Sequence, residues 1–220
     1  MTRTITSPVT RPRARRSREW LIPTSLLLLS AVPVLAGALR LTSLASGGDV
    51  TPDNVRFFAL PLPVILHILG ATTYLVLGAF QFVPSLRQRH PRYHRLAGRV
   101  LIPAGLVGAA SGLWMTAVYD LPATDGGLLP LVRWVFGLAM IAALVLGLVS
   151  VRRREFAAHR AWMIRAYAIG IAAGTQVFTT LPWMLTGGLD ATSKTLAMTL
   201  GWVLNLAVAE AIIRRATPRR

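Results

Sequence analysis

The sequence predicts an all-α protein, a polytopic bundle of six transmembrane helices with both termini in the cytoplasm. Three observations carry that expectation. Of the 220 residues 54% are hydrophobic and only 15% charged, with a mean hydropathy of +0.55, and a soluble domain of this size needs more charge than that to cover its surface. Six apolar runs, over 20–44, 61–84, 99–118, 129–150, 161–184 and 195–213, each come near the roughly 20 residues that cross a hydrocarbon core of about 30 Å. The arginines, finally, gather in alternate connections.

Residues 1–19 are rich in Arg, Thr and Pro without an apolar period, and are expected to form a disordered basic tail attracted to anionic lipid. The run at 20–44 is too long for a signal peptide and lacks a clean small-residue cleavage site, so it counts as a span. Its Pro23 and Pro33, like Pro103 in the third run, are tolerable where neighbouring helices satisfy the freed backbone groups. Ala45 to Leu60 reads as a loop. Residues 20–213 thus form one transmembrane domain, followed by a basic tail at 214–220. Twenty of the 24 basic residues lie in the N-terminal tail, the second–third and fourth–fifth connections and the C-terminal end. Only Arg40, Arg56, Arg133 and Lys194 lie on the other side, with five of the eight acids. The positive-inside rule then puts both termini in the cytoplasm.

The net charge of +16 would suggest nucleic acid in a soluble chain. Here the charge sits in short segments between spans, without a continuous basic face, and nucleic acid is excluded as a partner. Membrane lipid is the expected partner, above all anionic headgroups at the cytoplasmic face, with a homo-oligomer or a membrane complex as the other partner class. Cysteine is absent, which removes disulfides, thiolate metal sites and thiol nucleophiles.

Two segments echo each other. His94-Arg95-Leu96-Ala97-Gly98-Arg99 opens the third span and His159-Arg160-Ala161-Trp162-Met163-Ile164-Arg165 the fifth, as in two hairpins related about the membrane normal. Helical phase puts His94 on one face with Gly98, Gly105, Gly108 and Gly112, His159 with Met163, Ala166, Gly170 and Gly174, and His67 with Gly70, Tyr74, Gly78 and Gln81. Two readings follow. Small residues let helices pack closely, or they leave room for a flat macrocycle beside an axial histidine.

The stretch Leu66-His67-Ile68-Leu69-Gly70, then Gly78-Ala79-Phe80-Gln81-Phe82-Val83-Pro84, then the two His-Arg segments, resembles the bacterial multipass membrane proteins grouped as domain of unknown function 2306. The resemblance covers about residues 60–185. It implies an integral protein of the bacterial cytoplasmic membrane and no particular activity. A looser similarity is to haem bundles of the cytochrome b561 type, although Val132 and Arg133 stand where a second hairpin would need a histidine.

Among the candidate site residues, His94 and His159 share one depth. They could ligate one b-type haem, with Arg95, Arg99, Arg160 and Arg165 reaching its propionates, or hold a quinone. The same arginines could instead meet lipid phosphates. His67 stands among apolar neighbours, where an ionisable group is a functional candidate, able to pair with Arg133 or Tyr74 or to serve a small-ligand or proton carrier or sensor. Gln81, Gln176 and Asn205 are expected to hydrogen-bond between helices. No carboxylate pair, phosphate loop or Ser-His-Asp arrangement occurs, so hydrolase and transferase chemistry is not expected. The leading expectation is a helical-bundle component of the membrane, with haem or quinone electron transfer and the small-ligand reading as alternatives.

Overall fold

A computed structural model describes residues 13–216, with side chains from residue 19. Of the expected tails at 1–19 and 214–220, residues 1–12 and 217–220 lie outside the described residues. Among the described residues nine α-helices follow in order. Helix α1 (Arg13–Ser46) begins within the stretch expected to be a tail. A loop closed by Asn54, whose side chain accepts from the Thr51 amide and donates to the Asp49 carbonyl, leads to the one-turn α2 (Val55–Ala59). Helix α3 (Pro61–Ala79) runs inward and ends in a 3-10 turn at Phe80–Phe82. After the short α4 (Pro84–Arg89), α5 (Pro91–Val118) returns outward. It starts eight residues before the expected span, so His94 is already helical.

Helix α6 (Leu129–Arg152) runs inward, and Arg154 turns the chain at φ 64° into α7 (Phe156–Gly170). Here the structure differs from the expectation of one continuous fifth span. Helix α8 (Ala172–Thr186) is bent 41° from α7 across Ile171, and α9 (Ala191–Ala216) closes the bundle. Proline opens α3, α4, α5 and α6 in the first turn, where its missing N–H has no helical partner to lose. Among the described residues five helices are long and apolar enough to cross a membrane by themselves, and the bent pair α7–α8 makes a sixth when taken as one span.

The closest seam joins α3 and α5. Residues that meet across it have numbers adding to 178 or 179: His67 with Gly112, Gly70 with Gly108, Tyr74 with Gly105 and Gly78 with Leu101. This constant sum is the register of an antiparallel pair. Glycine sets its spacing, since a Cβ on Gly70 would lie 2.7 Å from the Gly108 amide nitrogen. A second hairpin joins α6 and α7, where Met163 and Trp162 fill the space above Gly147. Helix α9 packs on α7 and α8. Gly201 makes room for Gln176, whose amide donates to the Met198 carbonyl, and Asn205 links Thr175 to the Ala168 carbonyl.

Helix α1 stands at the edge, against α3 and α8. Pro33 offers no amide to the Leu29 carbonyl four residues back. Gly174 of α8 comes so near that a Cβ there would overlap the Leu29 oxygen, a close Cα–H···O approach that only glycine permits. Leu28, Leu39 and Leu185, each over 70% exposed, belong to an apolar outer surface too broad for water and suited to lipid.

Candidate functional site

Between the outer halves of the helices lies a cavity of about 430 Å³. His67 and Tyr74 line it from α3, Gly108 and Gly112 from α5, Arg133 and Met140 from α6. Its inner limit is the break between α7 and α8, where Gly170 meets the Tyr74 ring and Met140. The His67 Nδ1 lies 2.8 Å from the Gly108 carbonyl oxygen. A carbonyl only accepts, so Nδ1 carries the proton and donates, and in the neutral ring Nε2 keeps a free lone pair. Glycine at 112 permits this, since a Cβ there would stand 3.2 Å from the imidazole.

The mouth is polar. Asp125, in the 3-10 turn between α5 and α6, pairs with Arg133 at 2.9 Å and with Lys194 at the start of α9. Burial works against ionisation of this carboxyl, but Lys194 and Arg133 outweigh it and hold the group below its ordinary value. Opposite, the Arg40 and Arg56 guanidiniums lie 4.6 and 4.5 Å from the centre of the Phe57 ring, at cation–π distance. Phe57 in turn meets Tyr119 edge-on, and the Tyr119 hydroxyl donates to the Leu60 carbonyl.

The inner end is filled. Tyr167 of α7 stands against Gly78, packs on Tyr74 and Phe82, and donates its hydroxyl to the Leu75 carbonyl at 2.8 Å. Leu144 and Leu101 complete this core. His159 donates Nδ1–H to the Gly147 carbonyl at 2.8 Å, while the His94 Nδ1 is buried without a partner. The difference between these echoed histidines has a local cause. Helix α6 continues to Arg152 and so presents Gly147 to His159, whereas α3 ends at Ala79 before it could face His94 in the same way. His94 lies within electrostatic reach of His159, Arg87 and Arg95.

The other sequence candidates are placed as follows. Arg95, Arg99 and Arg160 are exposed. Arg165 is held by Glu210 through two bonds, at 2.5 and 3.0 Å, and stacks on Trp162. Arg133 pairs with Asp125 rather than with His67, although both line the cavity. Gln176 and Asn205 bond between helices, but Gln81 does not: both its amide atoms are buried without a partner, because α3 ends two residues before it. The glycine faces hold protein groups where a macrocycle would stand. Gly105 and Gly170 meet Tyr74, Gly112 meets His67, Gly108 meets Ala71 and Gly174 meets Leu29, with open space only at Gly98. A haem laid against Gly105, Gly108, Gly112, Gly170 or Gly174 would overlap these groups, and the open face is the one beside Gly98, a turn from His94. Among the described residues, no three of His, Asp or Glu lie together as a metal site.

Sequence reasoning missed Asp125 and Lys194 as site residues and missed the bend at Ile171. The first two were visible only as loop charges on the outer side, and the bend only as one more glycine on a small-residue face. A family model described as "Predicted membrane protein (DUF2306)" matches residues 64–213. No curated protein and no solved structure matches the chain.

Proposed function

The chain belongs to the DUF2306 family of predicted membrane proteins, and from that premise we propose that it is a ligand-binding bundle, resident in the bacterial cytoplasmic membrane, that receives a small molecule in its outer cavity. One observation carries this reading: a space of about 430 Å³, within the 300–1,000 Å³ of ordinary ligand pockets, in which polar groups from five helices converge. His67 stands on its wall with Nε2 uncommitted, and Thr72, Thr116 and Gln176 add further polar groups. Helix breaks beside such spaces are a recurrent way to build a site at membrane depth. The basic inner connections and the resemblance to a bacterial family support the membrane assigned.

The test is access. Cysteine placed at Ala109, on the cavity wall, should react with a membrane-impermeant maleimide added from outside. Cysteine at Leu144, fully buried in the inner core, should not. Equal protection at both positions would overturn the reading.

A further inference from the structure

The positive-inside rule disfavours cations on the outer side, and this chain keeps four there: Arg40, Arg56, Arg133 and Lys194. They come from α1, α2, α6 and α9, and the fold gathers them into two pairs, one on the Phe57 ring and one on Asp125. Arg56 and Arg133 line the outer cavity. Arg40 shares the Phe57 ring with Arg56, and Lys194 shares Asp125 with Arg133. Of the five outer acids, Asp125 alone lines the cavity, and two cations already claim it. Arg40 and Arg56 form no ion pair with a carboxylate among the described residues. Among the charged groups that line the cavity, Arg56 and Arg133 stand against Asp125 alone, one positive charge in excess. Below the mouth the walls are mostly apolar, with Val34, Ile68, Met140 and the stacked pair Phe136 and Trp202 around the few polar groups of His67, Thr72, Thr116 and Gln176.

From this gradient we infer that the ligand is an anionic single-chain amphiphile, its carboxylate or phosphate held at the arginines and its tail directed inward. The inference rests on the cavity reading above and adds the chemical class. The Arg56 guanidinium offers the planar donor fork that suits such a head. His67 is a poor alternative anchor for it, because its Nδ1 proton is given to Gly108 and a neutral Nε2 can only accept.

The experiment is a fluorescence titration of the full-length protein in detergent with cis-parinaric acid, and in parallel with its uncharged methyl ester. The acid should bind at least about tenfold more tightly (roughly 1.4 kcal/mol). The double variant Arg40→Gln/Arg56→Gln should lose that advantage for the acid and leave the ester unchanged. Ala173→Phe, which fills the inner end of the cavity, should weaken both probes. Displacement by palmitate or by lysophosphatidylglycerol then tells a free fatty acid from a membrane-derived source. Equal affinity for acid and ester, or an acid affinity indifferent to the double variant, overturns the anionic class, while loss of ester binding in Ala173→Phe keeps the cavity reading. Binding of both probes that is unmoved by Ala173→Phe overturns the location. Binding of neither overturns this inference, and the Ala109 labelling then judges the cavity by itself.

Discussion

The outer and inner halves of the bundle are tied by the same kind of bond and have opposite interiors. In each, a histidine Nδ1–H is given to a glycine carbonyl on the partner helix of its hairpin, His67 to Gly108 outside and His159 to Gly147 inside. Outside, the ring stands at the wall of an open space, with Asp125 paired to Arg133 and Lys194 above it and Arg56 left without a carboxylate among the described residues. Inside, Tyr167, Phe82 and Leu144 fill the centre, and the arginines Arg95, Arg99 and Arg160 face outward. What differs is the neighbour of each glycine seam. The inner seam meets large aromatic side chains, and the outer one meets the bend between α7 and α8. A shared motif thus fixes the helices, and the helix break decides which half is hollow.

Four substitutions would break or sharpen that contrast. The largest effect is expected at the bend. Gly174→Ala would drive a Cβ into the Leu29 carbonyl, where backbone stands on both sides, at a cost of about 3 kcal/mol, the upper end of the usual overpacking range. Thermal unfolding in detergent measures it, and an unshifted midpoint would remove the account of the α1–α8 contact.

Next is the outer ion cluster. Asp125→Asn leaves Arg133 and Lys194 without their carboxylate, at about 2 kcal/mol, between the values for exposed and buried pairs. Because the folded carboxyl sits below its ordinary value, the stabilisation is complete above the unfolded value of about 3.9 and is lost as pH falls toward the folded one. A stability scan from pH 5 downward should show this acid-side loss in the native chain and less of it in Asp125→Asn; parallel curves would contradict it.

On the inner side the effects shrink. Gly98→Ala enters open space within a helix and should stabilise by about 0.5–1 kcal/mol through backbone entropy alone. A destabilised variant would mean that the space beside Gly98 is occupied. Arg165→Gln removes the bond pair to Glu210, but the two side chains are 28% and 34% exposed. Roughly 0.5 kcal/mol is expected after solvent screening, with the midpoint becoming insensitive to salt.

The spans were legible because hydrophobicity and arginine placement depend on composition over about 20 residues. Glycine as a packing device was legible too, from the phase of Gly105, Gly108 and Gly112 on one helix face. The broken fifth span was not. Gly170 and Gly174 read as more of the same stripe, and only contacts far back in the chain, Tyr74 for Gly170 and Leu29 for Gly174, distinguish them. Nor was Gln81 legible: a polar residue in an apolar run is expected to bond across helices, and nothing in its neighbourhood announced that α3 would stop at Ala79. The cavity joins residues from α1 to α9, and no local pattern encodes such a set. Asp125 shows this best, since one partner is eight residues away and the other sixty-nine.

Pro33 has a consequence for biogenesis. Leu29 enters the bilayer with the first span, yet the group that covers its carbonyl is Gly174, 145 residues later in the chain. Pro33 withholds from that oxygen the amide four residues on, so the close contact of α1 with α8 forms only once both helices are in the bundle.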